Sequence, residues 1–92
     1  MVMIMYVIAV YDVDAKRDNK MLKLFRKYLF HVQGSVFEGE LTLTKLKNLE
    51  SETKAVIDDE SEDTVLFYRI LSPKEIKKDF VGKDKKIEPI VL

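Results

Sequence analysis

Four stretches of the chain have the apolar pattern of β-strands. Residues 1–10 are rich in Val, Ile, Met and Tyr and contain no charge, Gly or Pro, which predicts a central strand buried on both faces. Residues 64–71 form a second run that is apolar on both faces apart from Arg69 and is typical of a strand. Between these runs, residues 31–33 and 35–41 are interrupted at Gly34, and we interpret them as a hairpin rather than one bulged strand.

Two further segments carry apolar residues at the three- and four-residue spacing of amphipathic helices. The spacing predicts a first helix over about residues 16–30 and a second that ends at about residue 57. The candidate N-caps are Asp14 or Asp18 for the first helix and Thr42 or Thr44 for the second. The predicted core residues are Met21, Leu22, Phe25, Tyr28 and Leu29 in the first, and Leu46, Leu49, Thr53, Val56 and Ile57 in the second.

The order of these elements is the βαββαβ pattern of a ferredoxin-like α+β domain. It predicts one domain over the 92 residues, with its core over about residues 5–72, an antiparallel sheet and both helices on one face. The apolar segment 87–92 contains Pro89 and is expected to add an edge strand to this sheet or to that of a dimer partner. The other sheet face is too apolar for a monomer, so we expect a face-to-face homodimer.

The charges of the chain are balanced overall but unevenly distributed. Sixteen basic and sixteen acidic residues give a net charge of zero, which argues against a uniformly basic nucleic-acid binder. Residues 16–27 nevertheless carry six cations against the single acid Asp18, whereas residues 50–63 carry seven acids against Lys54. The basic helix is therefore a candidate phosphate-binding surface, and the alternative is an ordinary solvated helix face.

The composition excludes several kinds of site. Without cysteine and with one histidine, the chain has neither a disulfide framework nor a His/Cys zinc site. The acids at 58–63 lack the spacing of a calcium loop and are interpreted as a solvated turn. His31 is interpreted as a polar strand-end residue rather than a catalytic base. The apolar start lacks basic leader residues and is shorter than a membrane span of about 20 residues, so a cytoplasmic protein is expected.

Asp12 is the first ionisable residue of the chain and follows the predicted central strand. A carboxylate fixed at a strand end is common at functional sites, although Asp12 and Asp14 also suit a helix cap or a turn. If the strand continues, its alternation places Asp14 on the same side as Asp12. In a face-to-face dimer, two copies of Asp12 are able to hold Mg²⁺, with water completing the octahedron, for hydrolysis of a phosphodiester. The sequence contains no cysteine, Gly-rich phosphate loop or Ser beside His as an alternative centre.

Several segments resemble the CRISPR-associated Cas2 family. They are residues 5–14 (MYVIAVYDVD), 16–20 (KRDNK), 27–29 (KYL) and, above all, 32–41 (VQGSVFEGEL). The resemblance covers nearly the whole chain up to residue 71, and the apolar tail also fits, since many members add a last strand to the partner's sheet. The chain departs from the family at Gly34, where a long or aromatic residue is frequent, and at His31, where a basic residue is frequent.

The resemblance implies a homodimeric endonuclease that requires Mg²⁺, or Mn²⁺, and cuts single-stranded RNA or double-stranded DNA. It implies a role in CRISPR spacer acquisition beside the Cas1 integrase. Asp12 matches the strand-end aspartate that supplies the catalytic metal site jointly from both protomers. Ser35 and Phe37 match a Ser-Val-Phe stretch near that site, and Arg17 and Lys20 match cations suited to nucleic-acid phosphates. The alternatives are a turn hydroxyl for Ser35, a core position for Phe37 and a solvated position for Arg17.

Three functional classes therefore stay open. In the first, paired Asp12 carboxylates bind Mg²⁺ and the enzyme cuts nucleic acid with little sequence preference, because no base-reading element is evident. In the second, the dimer is a catalytically silent scaffold that bridges integrase subunits and the DNA backbone, which the zero net charge favours. The third is a toxin-like ribonuclease of similar fold, in which the same aspartate serves.

Overall fold

The computed structural model describes residues 3–79, 81 and 82, and within them the strands and helices follow the order βαββαβ. The elements are β1 (Ile4–Asp12), α1 (Ala15–Arg26), β2 (Phe30–Gln33), β3 (Val36–Thr42), α2 (Leu43–Val56), β4 (Thr64–Ile70) and a 3₁₀ turn at Pro73–Glu75. The strands form one antiparallel sheet in the order β2-β3-β1-β4. The predicted ferredoxin-like α+β fold is confirmed. The predicted strand at 87–92 lies outside the described residues.

β1 is the central strand, and its alternating side chains serve both faces of the sheet. The odd-numbered side chains belong to the core beneath the helices: Met5, Val7, Ala9 and Tyr11. The even-numbered side chains therefore point to the opposite face, which we call the outer face. β1 pairs with β3 on one side and with β4 on the other, and its last residue, Asp12, lies opposite Thr64, the first residue of β4.

Both helices begin at caps that the sequence predicts. The side chain of Asp14 accepts a hydrogen bond from the Lys16 amide at 3.1 Å, and that of Thr42 accepts one from the Lys45 amide at 3.1 Å. Each cap satisfies an amide that the first helical turn leaves without a partner. Within the described part of the chain, no helix is long and apolar enough to cross a membrane.

α1 ends at Arg26, earlier than the predicted end at residue 30. The two residues that extend the apolar stripe lie in a turn: the Tyr28 and Leu29 amides both donate to the Phe25 carbonyl, at 3.1 and 2.9 Å. This turn keeps Leu29 buried in the core although it lies outside the helix. The helical contribution to the core comes from Met21, Leu24 and Phe25 of α1 and from Leu46 and Leu49 of α2.

β2 and β3 form the predicted hairpin, and its turn requires Gly34. Gly34 has a φ of +49°, a left-handed conformation that glycine adopts without the steric cost of a Cβ. The imidazole Nε2 of His31 lies 2.7 Å from the Gly34 carbonyl oxygen, and its ring stacks on Phe37 with centroids 4.6 Å apart. The register shifts between His31 and Gln33, so the hairpin also contains an irregularity of the bulge type.

The outer face of the sheet exposes large apolar side chains. Val65 and Phe67 of β4 pack against the core, so Leu66 and Tyr68 point to the outer face, where they are 51% and 55% exposed. Ile4 at the start of β1 is also exposed there. These side chains form the apolar patch that the predicted homodimer would cover.

A buried polar cluster lies on the same face, next to the apolar patch. Tyr6 is completely buried and donates its hydroxyl to Glu38 Oε1 at 2.7 Å, while Lys78 pairs with the other carboxylate oxygen of Glu38. Burial is the main reason why the pKa of Tyr6 rises to about 12, and the negative charge of Glu40 adds to it. The cluster attaches the segment after β4 to the sheet.

Candidate metal and nucleic-acid site

The carboxylate of Asp12 is exposed at the end of β1. As an even-numbered residue it points to the outer face, which it shares with Leu66 and Tyr68. Among the residues that the structure describes, none donates a hydrogen bond to this carboxylate. It borders a shallow depression of about 280 Å³, and the other lining residues are Val13, Asp14, Ser61, Glu62 and Asp63. A rigid strand thus presents a carboxylate with free oxygen lone pairs to this depression.

Asp14 does not join Asp12 as a second carboxylate on the same strand face. β1 ends at Asp12, so the alternation of the strand does not extend to Asp14. Asp14 is instead the N-cap of α1, and its side chain is bonded to the Lys16 amide. The helix-cap alternative is therefore the one that the structure supports for Asp14.

Asp63 is the organising carboxylate of the depression, and sequence reasoning missed it. Its side chain is 2% exposed and accepts hydrogen bonds from the Asp14 amide at 2.9 Å and from the Asp58 amide at 3.2 Å. Arg17 donates two more, from Nε at 2.5 Å and from Nη2 at 3.1 Å. These donors, the Arg17 guanidinium first, hold the pKa of the Asp63 carboxyl well below its usual range.

The interpretation of residues 58–63 as a solvated turn is correct for Asp59 and Glu60, which are exposed, but wrong for Asp63. The sequence does not distinguish Asp63 from the exposed acids beside it, because no neighbouring residue marks it as different. One signal was available: Asp63 immediately precedes the strand that pairs antiparallel with β1, so it has to lie beside the end of β1.

The structure separates the two predicted phosphate-binding cations. Arg17 is 14% exposed and its guanidinium is engaged by Asp63, which also raises the pKa of Arg17. Lys20 is exposed, and it lines a groove between α1 and α2 together with Lys23 and Lys27. The amines of this groove are therefore better placed than Arg17 for direct contact with a polyanion.

Ser35 and Phe37 approach the end of β1 in different ways. Ser35 lies in the turn after Gly34, and its carbonyl oxygen accepts a hydrogen bond from the Tyr11 amide at 3.2 Å. Phe37 is completely buried. Its ring lies 6.0 Å from that of Tyr11 and 5.3 Å from that of Phe25. This favours the core alternative for Phe37, which packs beneath the strand residue that precedes Asp12.

A metal site built from one chain is not found in the described residues. No group of three or more His, Asp or Glu side chains lies close enough to hold an ion in this part of the chain. Asp12 supplies carboxylate oxygen, the donor that Mg²⁺ prefers, but a single carboxylate leaves the site incomplete. The residues therefore fit a divalent ion only if a second copy contributes its own Asp12.

Comparison with known proteins gives consistent results. The family model of the CRISPR associated protein Cas2 matches residues 5–78. Over 81 residues, 88% of this chain and 92% of each relative, the chain is 49% identical to the CRISPR-associated endoribonuclease Cas2 of Thermotoga maritima and 44% identical to that of Dictyoglomus turgidum.

Solved structures agree with this result. A crystal structure of Cas2 superposes with a TM-score of 0.81 at 40% identity, covering 97% of this chain and 99% of that one. A hypothetical protein from Thermus thermophilus shares the fold, with a TM-score of 0.75 at 24% identity over 92% of this chain and 99% of that one. The family match runs from the second residue of β1 to beyond β4 and includes the strand end that carries Asp12. The chain therefore belongs to the CRISPR-associated protein Cas2 family.

Proposed function

We propose that this protein is a dimeric, metal-dependent endonuclease that takes part in CRISPR spacer acquisition. The observation that carries the proposal is the exposed Asp12 carboxylate, which a rigid central strand presents and no described residue engages. Relatives that cover most of the chain bear the name endoribonuclease, which favours RNA as the substrate. Double-stranded DNA is the alternative to be tested beside it.

A homodimer through the outer face would complete the site. Leu66 and Tyr68 expose about half of their surfaces on the face to which Asp12 points, so covering this apolar patch with a second copy stabilises the assembly. In such a dimer the same surface lies on both sides of the interface. A twofold axis that passes near the end of β1 would then bring the two copies of Asp12 together. The apolar patch and the Asp12 carboxylate thus both favour a homodimer through the outer face.

The paired Asp12 carboxylates would hold Mg²⁺, with Mn²⁺ as a substitute. The chemistry that such an ion supplies is polarisation of a phosphodiester oxygen and a lower pKa for a water molecule. The chain contributes the fixed position of the carboxylates, since Asp12 is held by its ladder pairing with Thr64. Lys20 and its neighbours on α1 would bind the nucleic-acid backbone through phosphates, without reading bases. Ser35 and Phe37 would act indirectly, by supporting Tyr11 at the end of β1.

The decisive test is cleavage of single-stranded RNA and duplex DNA by wild type and by Asp12→Asn, with Mg²⁺ or Mn²⁺. Both proteins must first be shown to be folded dimers by circular dichroism and light scattering. Asp59→Asn is the matched control, because it makes the same chemical change at an exposed acid of the neighbouring loop. We expect Asp12→Asn to lose at least about 100-fold in rate and Asp59→Asn to keep wild-type activity. Equal cleavage by all three proteins would refute the proposed site.

The second candidate function is a silent scaffold that bridges subunits of the Cas1 integrase and DNA. The observation that favours it is the engagement of Arg17 by Asp63, which removes from phosphate binding a cation that lies only five residues after Asp12. If wild type cuts neither substrate yet binds the integrase and duplex DNA equally well with and without Asp12→Asn, the scaffold is the correct function.

A further inference from the structure

Asp63 lies beside the end of β1 although it belongs to a different part of the chain. It directly precedes Thr64, whose ladder partner is Asp12. Its carboxylate is nearly inaccessible and accepts four hydrogen bonds, from two backbone amides and from two nitrogens of Arg17. A buried carboxylate with this many donors has a fixed orientation, because rotation would leave several polar groups unpaired.

The four donors come from the elements that surround Asp12. The Asp14 amide belongs to the connection that leaves β1, and Arg17 belongs to the first turns of α1. The Asp58 amide belongs to the connection after α2. Asp63 therefore fastens the backbone just beyond Asp12 to the start of β4, in addition to the ladder that already pairs Asp12 with Thr64.

We propose that Asp63 is a positioning residue for Asp12, and that Arg17 serves this clamp rather than binding phosphate. Both carboxylate oxygens of Asp63 accept hydrogen bonds within the protein, and the side chain is buried. Asp63 therefore acts through Asp14 and the backbone rather than by touching substrate. Replacing a residue that orients a metal ligand commonly lowers metal affinity or activity about 10- to 100-fold. The inference rests on the proposed function, in which Asp12 holds a divalent ion.

The test compares Mn²⁺ binding and backbone protection in wild type, Asp63→Asn and the control Asp59→Asn. Mn²⁺ affinity is measured by electron paramagnetic resonance of the free ion, and hydrogen exchange of the Asp14 amide is followed by NMR. The asparagine keeps the size of the side chain but loses the charge and part of the acceptor capacity. We expect Asp63→Asn to weaken Mn²⁺ binding about 10- to 100-fold and to speed exchange at Asp14. Asp59→Asn should leave both unchanged, because it is exposed.

Wild-type Mn²⁺ affinity and wild-type exchange in a folded Asp63→Asn protein would overturn the positioning role. Faster exchange with unchanged affinity would overturn it as well, since the clamp would then be structural only. The proposed function fails separately: in that case Asp12→Asn has the same Mn²⁺ affinity and cleavage rate as wild type. The two failures are distinguishable. Failure of the positioning role is seen in Asp63→Asn, in which Asp12 is intact, whereas failure of the proposed function is seen in Asp12→Asn.

Arg17→Gln keeps the proposal testable if Asp63→Asn does not fold. This variant removes the guanidinium but leaves the amides of Asp14 and Asp58 bonded to Asp63. We expect Mn²⁺ binding about 10-fold weaker and an unchanged salt dependence of RNA binding. A fall of about 0.7 in the slope of log affinity against log salt would mean that Arg17 neutralises one phosphate. That result, or unchanged Mn²⁺ affinity, would overturn its assignment to the clamp.

Discussion

Tyr6→Phe removes one buried hydroxyl, and its effect on stability follows from the geometry of the outer face. Tyr6 is completely buried and donates to Glu38 Oε1 at 2.7 Å, while Lys78 pairs with the other oxygen. Phenylalanine keeps the ring packing, so the change isolates a hydrogen bond to a charged acceptor. Such bonds contribute about 1.5 to 3 kcal/mol, and we expect a loss of about 2 kcal/mol in the free energy of unfolding.

This loss is large enough to measure in a small domain. For a chain of this size, each kcal/mol corresponds to roughly 4 to 8 °C in Tm, so Tm should fall by about 8 to 16 °C. The assay is urea and thermal unfolding followed by far-ultraviolet circular dichroism. Protein concentration must be the same for both proteins, because the stability of a dimer depends on it.

Tyr28→Phe is the matched control, since the Tyr28 hydroxyl also donates to a glutamate, Glu52 Oε2, at 2.5 Å. That pair is exposed, so water replaces the lost bond and the expected cost is about 0.5 kcal/mol or less. Equal losses in Tyr6→Phe and Tyr28→Phe, or a loss below about 0.5 kcal/mol at Tyr6, would refute the view that burial makes the Glu38 cluster stabilising.

The same pair of proteins gives a pH test. The pKa of Tyr6 is raised from 10.0 to about 12, so folding favours the neutral phenol. The resulting stabilisation is complete below pH 10 and is lost as pH rises through about 12. Tyr6→Phe lacks this titration, so the difference in stability between the two proteins should narrow above pH 10.

Three further predictions concern the remaining surfaces. The pKa of Asp63 is lowered, so the stabilisation that its carboxylate provides is present above the ordinary pKa of 3.8 and is lost only at lower pH. Urea titrations should therefore show that Asp63→Asn is less stable than wild type at pH 6, and that this difference in stability shrinks as pH falls below 3.8. Leu66→Ala removes about 1 kcal/mol of burial from each copy of the proposed interface, so sedimentation should show a dimer dissociation constant about 30-fold higher, while Lys54→Ala on α2 leaves it unchanged. Replacing Lys20 and Lys23 with Gln should reduce the salt slope of RNA binding by about 1.4, whereas Lys54→Gln should not.

Local patterns predicted most of the fold and the position of Asp12 at the end of the central strand. The uncharged run before Asp12 identified both the central strand and the carboxylate at its end, because burial on both faces of a strand requires apolar side chains throughout. Helix caps at Asp14 and Thr42 were also predictable, since capping depends on neighbours within three residues. The end of α1 was not predictable, because Leu29 continues the apolar spacing of the helix although it lies in the turn that follows, where it is also buried.

Features that depend on distant partners escaped prediction. Asp63 meets Arg17 and Asp14 only after β4 has paired with β1, and in the sequence it is one acid among several. The charge of Arg17 suggested a phosphate contact, but its guanidinium has a protein partner that no local pattern reveals. Glu38 likewise has the sequence character of an exposed strand residue, yet Tyr6 and Lys78 make it part of a buried cluster.

The central position of β1 also has a consequence for biosynthesis. β1 is the first of these elements to leave the ribosome, whereas its partner residues in β4 follow roughly 50 to 65 residues later. Translation adds about 5 to 20 residues per second, so β1 exists for about 3 to 13 s before β4 has been made. During that time the edge of β1 that pairs with β4 is unpaired, and the other edge is unpaired as well until β3 has been made. These open edges favour association with other nascent chains or with chaperones. The strand that fixes Asp12 in the folded protein is thus the segment most in need of protection during synthesis.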